Sequence, residues 1–136
     1  MQQRDIIKDQ IEQLGQVIGK GLALILGLKN EGDILESIDQ VAEVFDTELN
    51  LDLKKLMLLE QDEFQQVIEE KFQNFEEPLH HLGTLLFEIA LHCGPEGELR
   101  QVYAQKALWT FNYLNTISAT FSMERMEKIK SLKKWI

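Results

Sequence analysis

The chain has 136 residues, of which 44% are hydrophobic, and it contains only 2 Pro, 8 Gly and 1 Cys. That length suits a single domain, residues 1–136, able to bury a core without disulfide support. The net charge of −9 argues against nucleic acid as a partner, because affinity for phosphate backbones comes mainly from Lys and Arg.

The charge is unevenly spread. Residues 123–136 hold five basic and two acidic side chains, a balance of +3, leaving 9 basic against 21 acidic in residues 1–122, a balance of −12. The first residues, MQQRDIIKDQ, are mixed in charge and show no apolar core of a signal peptide. The most apolar run, GLALILGL at 21–28, is flanked by Lys20 and Lys29 and is too short to span a bilayer. These features predict a cytoplasmic protein, and the lone Cys93 fits a reducing compartment.

Apolar spacing is helical almost throughout. Ile7, Ile11, Leu14, Ile18, Leu22 and Ile25 recur every three or four residues, predicting an amphipathic helix over about 5–28. KNEGD at 29–33 reads as a tight corner, with Gly32 free to adopt unusual backbone angles. A second helix carries Ile34, Ile38, Val41 and Phe45, and the short corner predicts antiparallel packing on the first. Asn50 or Asp52 caps a short helix holding Leu53, Leu56 and Met57, and Asp62 caps another with Phe64, Val67, Ile68 and Phe72. A fifth helix carries Leu79, Leu82, Leu86, Ile89 and Cys93, with Pro78 in its first turn. After a loop at 93–98, a sixth carries Leu99, Tyr103, Ala107, Leu114, Ile117 and Phe121. Ser122 caps a basic amphipathic helix over 123–136, with Glu124 in its first turn and Met126, Ile129, Leu132 and Ile136 as its stripe. No alternating run predicts a strand. The expected fold is all-α, six or seven helices in antiparallel hairpins.

The stretch GQVIGKG, Gly15–Gly21, comes close to a phosphate-binding loop. Such a loop needs a preceding strand, one more residue between the glycine and the Gly-Lys pair, and a Ser or Thr where Gly21 stands. A helix with small residues is the better reading. Each mid-helix Gly costs on the order of 1 kcal/mol relative to Ala, so Gly15 and Gly19, four apart on one face, imply close approach of another helix.

A repeat supports that expectation. Ile11-x-x-Leu14-Gly15-x-x-Ile18 recurs as Leu79-x-x-Leu82-Gly83-x-x-Leu86. This pattern resembles the first helix of a tetratricopeptide repeat, whose small residue receives the second helix. Gly32-Asp33-Ile34-Leu35-Glu36-Ser37 resembles the start of that second helix, and Lys106-Ala107-Leu108 resembles its end. The intervals Gly15 to Val44 and Gly83 to Ala107, 29 and 24 residues, exceed the roughly 19 of the standard repeat, and the middle segment matches no repeat. With Arg4-Asp5-Ile6-Ile7 near its start and the turn Gly27-Leu28-Lys29-Asn30-Glu31-Gly32-Asp33, residues 10–120 resemble a family of small bacterial all-helical proteins similar to tetratricopeptide proteins. That resemblance implies a fold; it brings no activity and no catalytic residue.

Chemistry-bearing clusters are sparse. His80, His81, His92 and Cys93 are the metal suspects, but His81 and His92 stand ~16 Å apart along a helix. Glu77 and His80 make one E-x-x-H, with no second to complete a di-metal set. His92 and Cys93 are adjacent and point about 100° apart on a helix, so nucleophilic pairing is disfavoured. No enzymatic activity, metal or cofactor is expected. The leading expectation is a helical scaffold for protein–protein interaction, with an unknown protein or a second copy as partner. First helices of such hairpins build the concave face, making Gln16, Lys20, Thr84, Glu88 and His92 groove candidates; Tyr103, Trp109 and Tyr113 join them from the aromatic-rich sixth helix. The alternative is a peripheral membrane protein anchored by residues 123–136, whose lysines flank an apolar stripe.

Overall fold

A computed structural model describes residues 3–27, 34–95 and 97–136, with side chains from residue 5 onward. Seven helices follow in order: α1 (Gln3–Leu26), α2 (Ile34–Leu49), α3 (Leu53–Leu56), α4 (Gln61–Phe72), α5 (Glu76–His92), α6 (Glu98–Ile117) and α7 (Met123–Trp135). Among the described residues there is no strand. The predicted corner at 29–33 and the Gly-Asp start of the second helix lie outside them. Gly15–Gly21 is part of α1, which ends the phosphate-loop reading.

Local signals explain some of the helix ends. Asp52 caps α3, its carboxylate accepting from the Lys55 N–H at 3.1 Å, and Ser122 caps α7 by accepting from the Arg125 N–H at 3.1 Å. Asp62 does not cap α4. Glu60 holds the cap position without a side-chain bond, and Asp62 falls in the first turn, where a carboxylate still complements the helix dipole. α4 stops at Gln73, whose left-handed backbone is followed by a second such residue, Asn74. Phe121 lies beyond the end of α6 and is 73% exposed.

Packing centres on α5. Leu79, Leu82, Leu85, Leu86 and Ile89 are wholly buried, too many for one stripe, because α5 is covered by α1, α2 and α6. In α2 the predicted Ile34, Ile38, Val41 and Phe45 all face the core. In α1, Leu14, Ile18 and Ile25 are buried as expected; Val17 joins them and Ile7 stays exposed. Gly21 lies between Val41 of α2 and Leu85 of α5, and Gly15 lies beside Pro78 and His81, so α1 and α5 run parallel. Gln13 donates to the Glu48 carbonyl at 3.1 Å, which brings the start of α1 to the end of α2 in the expected antiparallel hairpin.

The glycines divide. A Cβ on Gly83 would come within 2.5 Å of Cε1 of Phe111, so α6 reaches α5 only because Gly83 has no side chain. On Gly21 it would meet Leu85 at 3.1 Å and Val41 at 3.3 Å. On Gly15 or Gly19 it would meet nothing within 4 Å, so the expected close approach over those two is wrong. Gly15 borders the first turn of α5, where the helices leave an open hollow of about 320 Å³.

α7 lies back along α6. Its Arg125 is buried and donates to Asn115 Oδ1 at 2.6 Å and to the Thr120 carbonyl at 3.1 Å. Near the other end, Trp135 packs 5.3 Å from Phe87 of α5, with the Arg100 guanidinium 4.2 Å from its ring. Ile129 and Leu132 are buried, whereas Met126 and Ile136 from the predicted stripe stay exposed. The docked face thus runs through Arg125, Ile129, Leu132 and Trp135. No helix among the described residues is long and apolar enough to cross a membrane.

Gly83→Ala should destabilise the fold by about 1–3 kcal/mol, because Phe111 is wholly buried and has nowhere to move. Gly15→Ala and Gly19→Ala should each stabilise it by up to about 1 kcal/mol, since helix propensity improves without a clash. Urea unfolding of the three variants checks the contrast, and equal effects at Gly15 and Gly83 would sink it.

Candidate interaction surface

The eight residues expected to face a partner do not share one surface. Gln16 is exposed and borders the hollow beside Glu77 and His81. Lys20 turns toward α2, where its Nζ meets Glu48 Oε1 at 2.9 Å. Thr84 is half-buried and donates to the His80 carbonyl at 2.9 Å, a bond within its own helix. Glu88 and His92 pair within α5: His92 Nδ1 donates to the Glu88 carbonyl at 2.8 Å and lies 3.8 Å from its carboxylate. Trp109 packs edge-on against Phe64 of α4, 5.7 Å between centroids, with Lys106 over its other side at 4.6 Å. Tyr113 is buried and its hydroxyl donates to Asn74 Oδ1, so the two rings tie α6 to α4 and to the turn that follows it. Tyr103 is buried too, but forms part of a groove floor.

That groove is a concavity with an apolar lining, about 430 Å³ in volume. Leu35, Ile38 and Asp39 line it from α2, Lys54, Met57 and Leu58 from α3 and the turn after it, and Leu99, Val102 and Tyr103 from α6. Its floor is core: Ile38, Met57 and Tyr103 are each at most 5% exposed. Its lips are Leu35 and Leu58, 64% and 82% exposed, values that cost hydration free energy in the isolated chain. Lys54 and Asp39 pair across it.

Leu58 escaped the sequence reading although a signal was present. Leu56, Met57, Leu58 and Leu59 are four consecutive apolar residues, and successive side chains on a helix diverge by about 100°, so they cannot all face one core. α3 ends at Leu56, and the turn sends Met57 inward and Leu58 outward.

Burial lowers the pKa of His80 from its usual 6.5; Glu124 opposes this, while His81, Lys128 and Arg125 reinforce it. Its ring lies 6.1 Å from Phe111 and 5.8 Å from the His81 ring, and His81 approaches Glu77 at 3.6 Å. Burial also raises the Tyr103 phenol and lowers Lys106. A hydrogen bond from Lys128 holds Glu124 below its usual 4.5. Cys93 is buried at the end of α5. Among the described residues, no three His, Cys, Asp or Glu side chains gather where they could hold a metal ion.

The lowered His80 pKa fixes a sign. Above about 6.5 the ring is neutral in folded and unfolded chains, and the shift contributes nothing. Below it the unfolded chain takes up the proton first, so stability falls with pH until the folded ring also titrates. Urea midpoints should therefore decline as the pH falls below about 6.5, and His80→Gln should flatten that decline. Glu124 runs the other way: its lowered pKa stabilises the fold above the usual 4.5, and that contribution is lost only as the pH falls below it. An unchanged slope in the variant would count against this assignment.

Compared with family models, with curated proteins and with solved structures, the chain shows no match.

Proposed function

We propose that the protein is a small helical scaffold that binds protein through the groove between α2, α3 and α6. One observation carries this reading: Leu35 and Leu58 project from the lips of an apolar groove whose floor is already well packed. A monomer gains nothing from two leucines held in water, and a partner inserting apolar side chains between them would bury both. The proposed scaffold is built of tetratricopeptide-like hairpins. The approach of Phe111 over Gly83 supports it, while the open space over Gly15 departs from it. The reading assigns a cytoplasmic binding role and no reaction or cofactor.

A second reading rests on a separate feature. Phe121 and Met123 are 73% and 67% exposed just before and at the start of α7, whose Lys130, Lys133 and Lys134 are exposed. Together they offer a basic, apolar-tipped edge to an anionic membrane. We favour the groove, because Ile129, Leu132 and Trp135, the apolar face an anchor would use, pack on the body.

In native lysate, the tagged protein should capture a partner or its own untagged copy, and Leu35→Asp with Leu58→Asp should remove most of that capture. Circular dichroism should stay unchanged, since both side chains are largely exposed. Equal capture by wild type and double variant would defeat the groove reading. Sedimentation with phosphatidylserine vesicles, lost on Phe121→Asp, would favour the membrane edge instead.

A further inference from the structure

We infer that the groove is a self-association surface, in which two copies pair about a two-fold axis running along it. The inference rests on the reading of the groove as a protein-docking site and adds the identity of the occupant.

Register and charge single out this occupant. Lys54 pairs with Asp39 across the groove, so α3 runs back beside α2 with these two residues level. Each wall also carries a leucine: Leu35, four residues before Asp39 in α2, and Leu58, four residues after Lys54 in the turn beyond α3. The two walls therefore carry matched rungs, leucine opposite leucine and acid opposite base. A two-fold axis along the groove sets the α2 wall of one copy against the α3 wall of its partner. Leu35 then meets Leu58, and Asp39 meets Lys54, twice over.

Charge favours this occupant. α2 carries Glu36, Asp39, Glu43, Asp46 and Glu48 and no base, whereas α3 is Leu-Lys-Lys-Leu. Two copies of net charge −9 repel at long range, so a self-contact needs a patch that is locally balanced. The groove supplies one, because Asp39 on its α2 wall faces Lys54 on its α3 wall. Asp39 and Lys54 are 63% and 60% exposed, free to exchange partners between copies at little cost.

The test is the oligomeric state of the full chain, by sedimentation velocity over about 1–500 µM. Wild type should pass from monomer to dimer within that range. Leu58→Asp should weaken pairing by more than about tenfold. Asp39→Lys and Lys54→Asp should each weaken it as well, by setting like charges opposite one another twice. An equimolar mixture of those two charge variants should restore a dimer, since each lysine of one then faces an aspartate of the other. A mixture that stays monomeric counts against Asp39 meeting Lys54 between copies. A monomer at every concentration, or a dimer indifferent to Leu58, overturns the inference. If the monomer still captures a different protein through Leu58, the docking reading stands and only the second copy is excluded.

Discussion

The contact between Gly83 and the ring of Phe111 sets the distance between α5 and α6, and the rest of the packing follows from it. A single methyl at Gly83 would reach 2.5 Å from the ring, so the two longest segments of the C-terminal half are held at a separation only glycine permits. α5 can then be buried on most sides, and its leucines serve α1 on one flank and α6 on the other. α7 closes the same side through Trp135 on Phe87 and Arg125 on Asn115. The groove between α2, α3 and α6 is a by-product of this arrangement. α6 presents Tyr103 and Val102 toward α2, and the four-residue α3 is too short to cover them.

Much of the fold was legible because amphipathic spacing reports burial directly. Ile34, Ile38, Val41 and Phe45 recur at helical spacing and all face the core, and the Asp52 and Ser122 caps announce two helix starts. The glycines were half legible. The motif around Gly15 and Gly83 is the same, yet only Gly83 receives a neighbour, because spacing marks where a side chain is missing and not which helix fills the space. Gly15 sits beside the first turn of α5, where little remains to close over it; Gly21 was the tighter position in α1.

The candidate surface was much less legible. Groove residues are chosen by how separate helices meet, which no local pattern encodes. Lys20 was expected at a partner face and is held by Glu48 of the neighbouring helix; Tyr113 and Trp109 were expected there and instead fasten α4. Leu35 sits at the exposed edge of a well-formed stripe, and Leu58 in a turn whose direction depends on the end of α3. Tyr103 alone among the predicted residues lines the apolar groove, and it does so from below.

The order of packing along the chain carries a kinetic consequence. α5, α6 and α7 are consecutive and pack on one another across short connections, whereas α1 reaches α5 across a chain separation of 64 residues, from Gly21 to Leu85. Loop closure is cheapest for near neighbours, and local contacts form fastest. The C-terminal three helices are therefore the natural nucleus, with the α1–α2 hairpin as the late-docking unit. On a ribosome the order of synthesis is the reverse: the hairpin emerges first, its apolar stripe uncovered, and waits for α5 before it has a core to join.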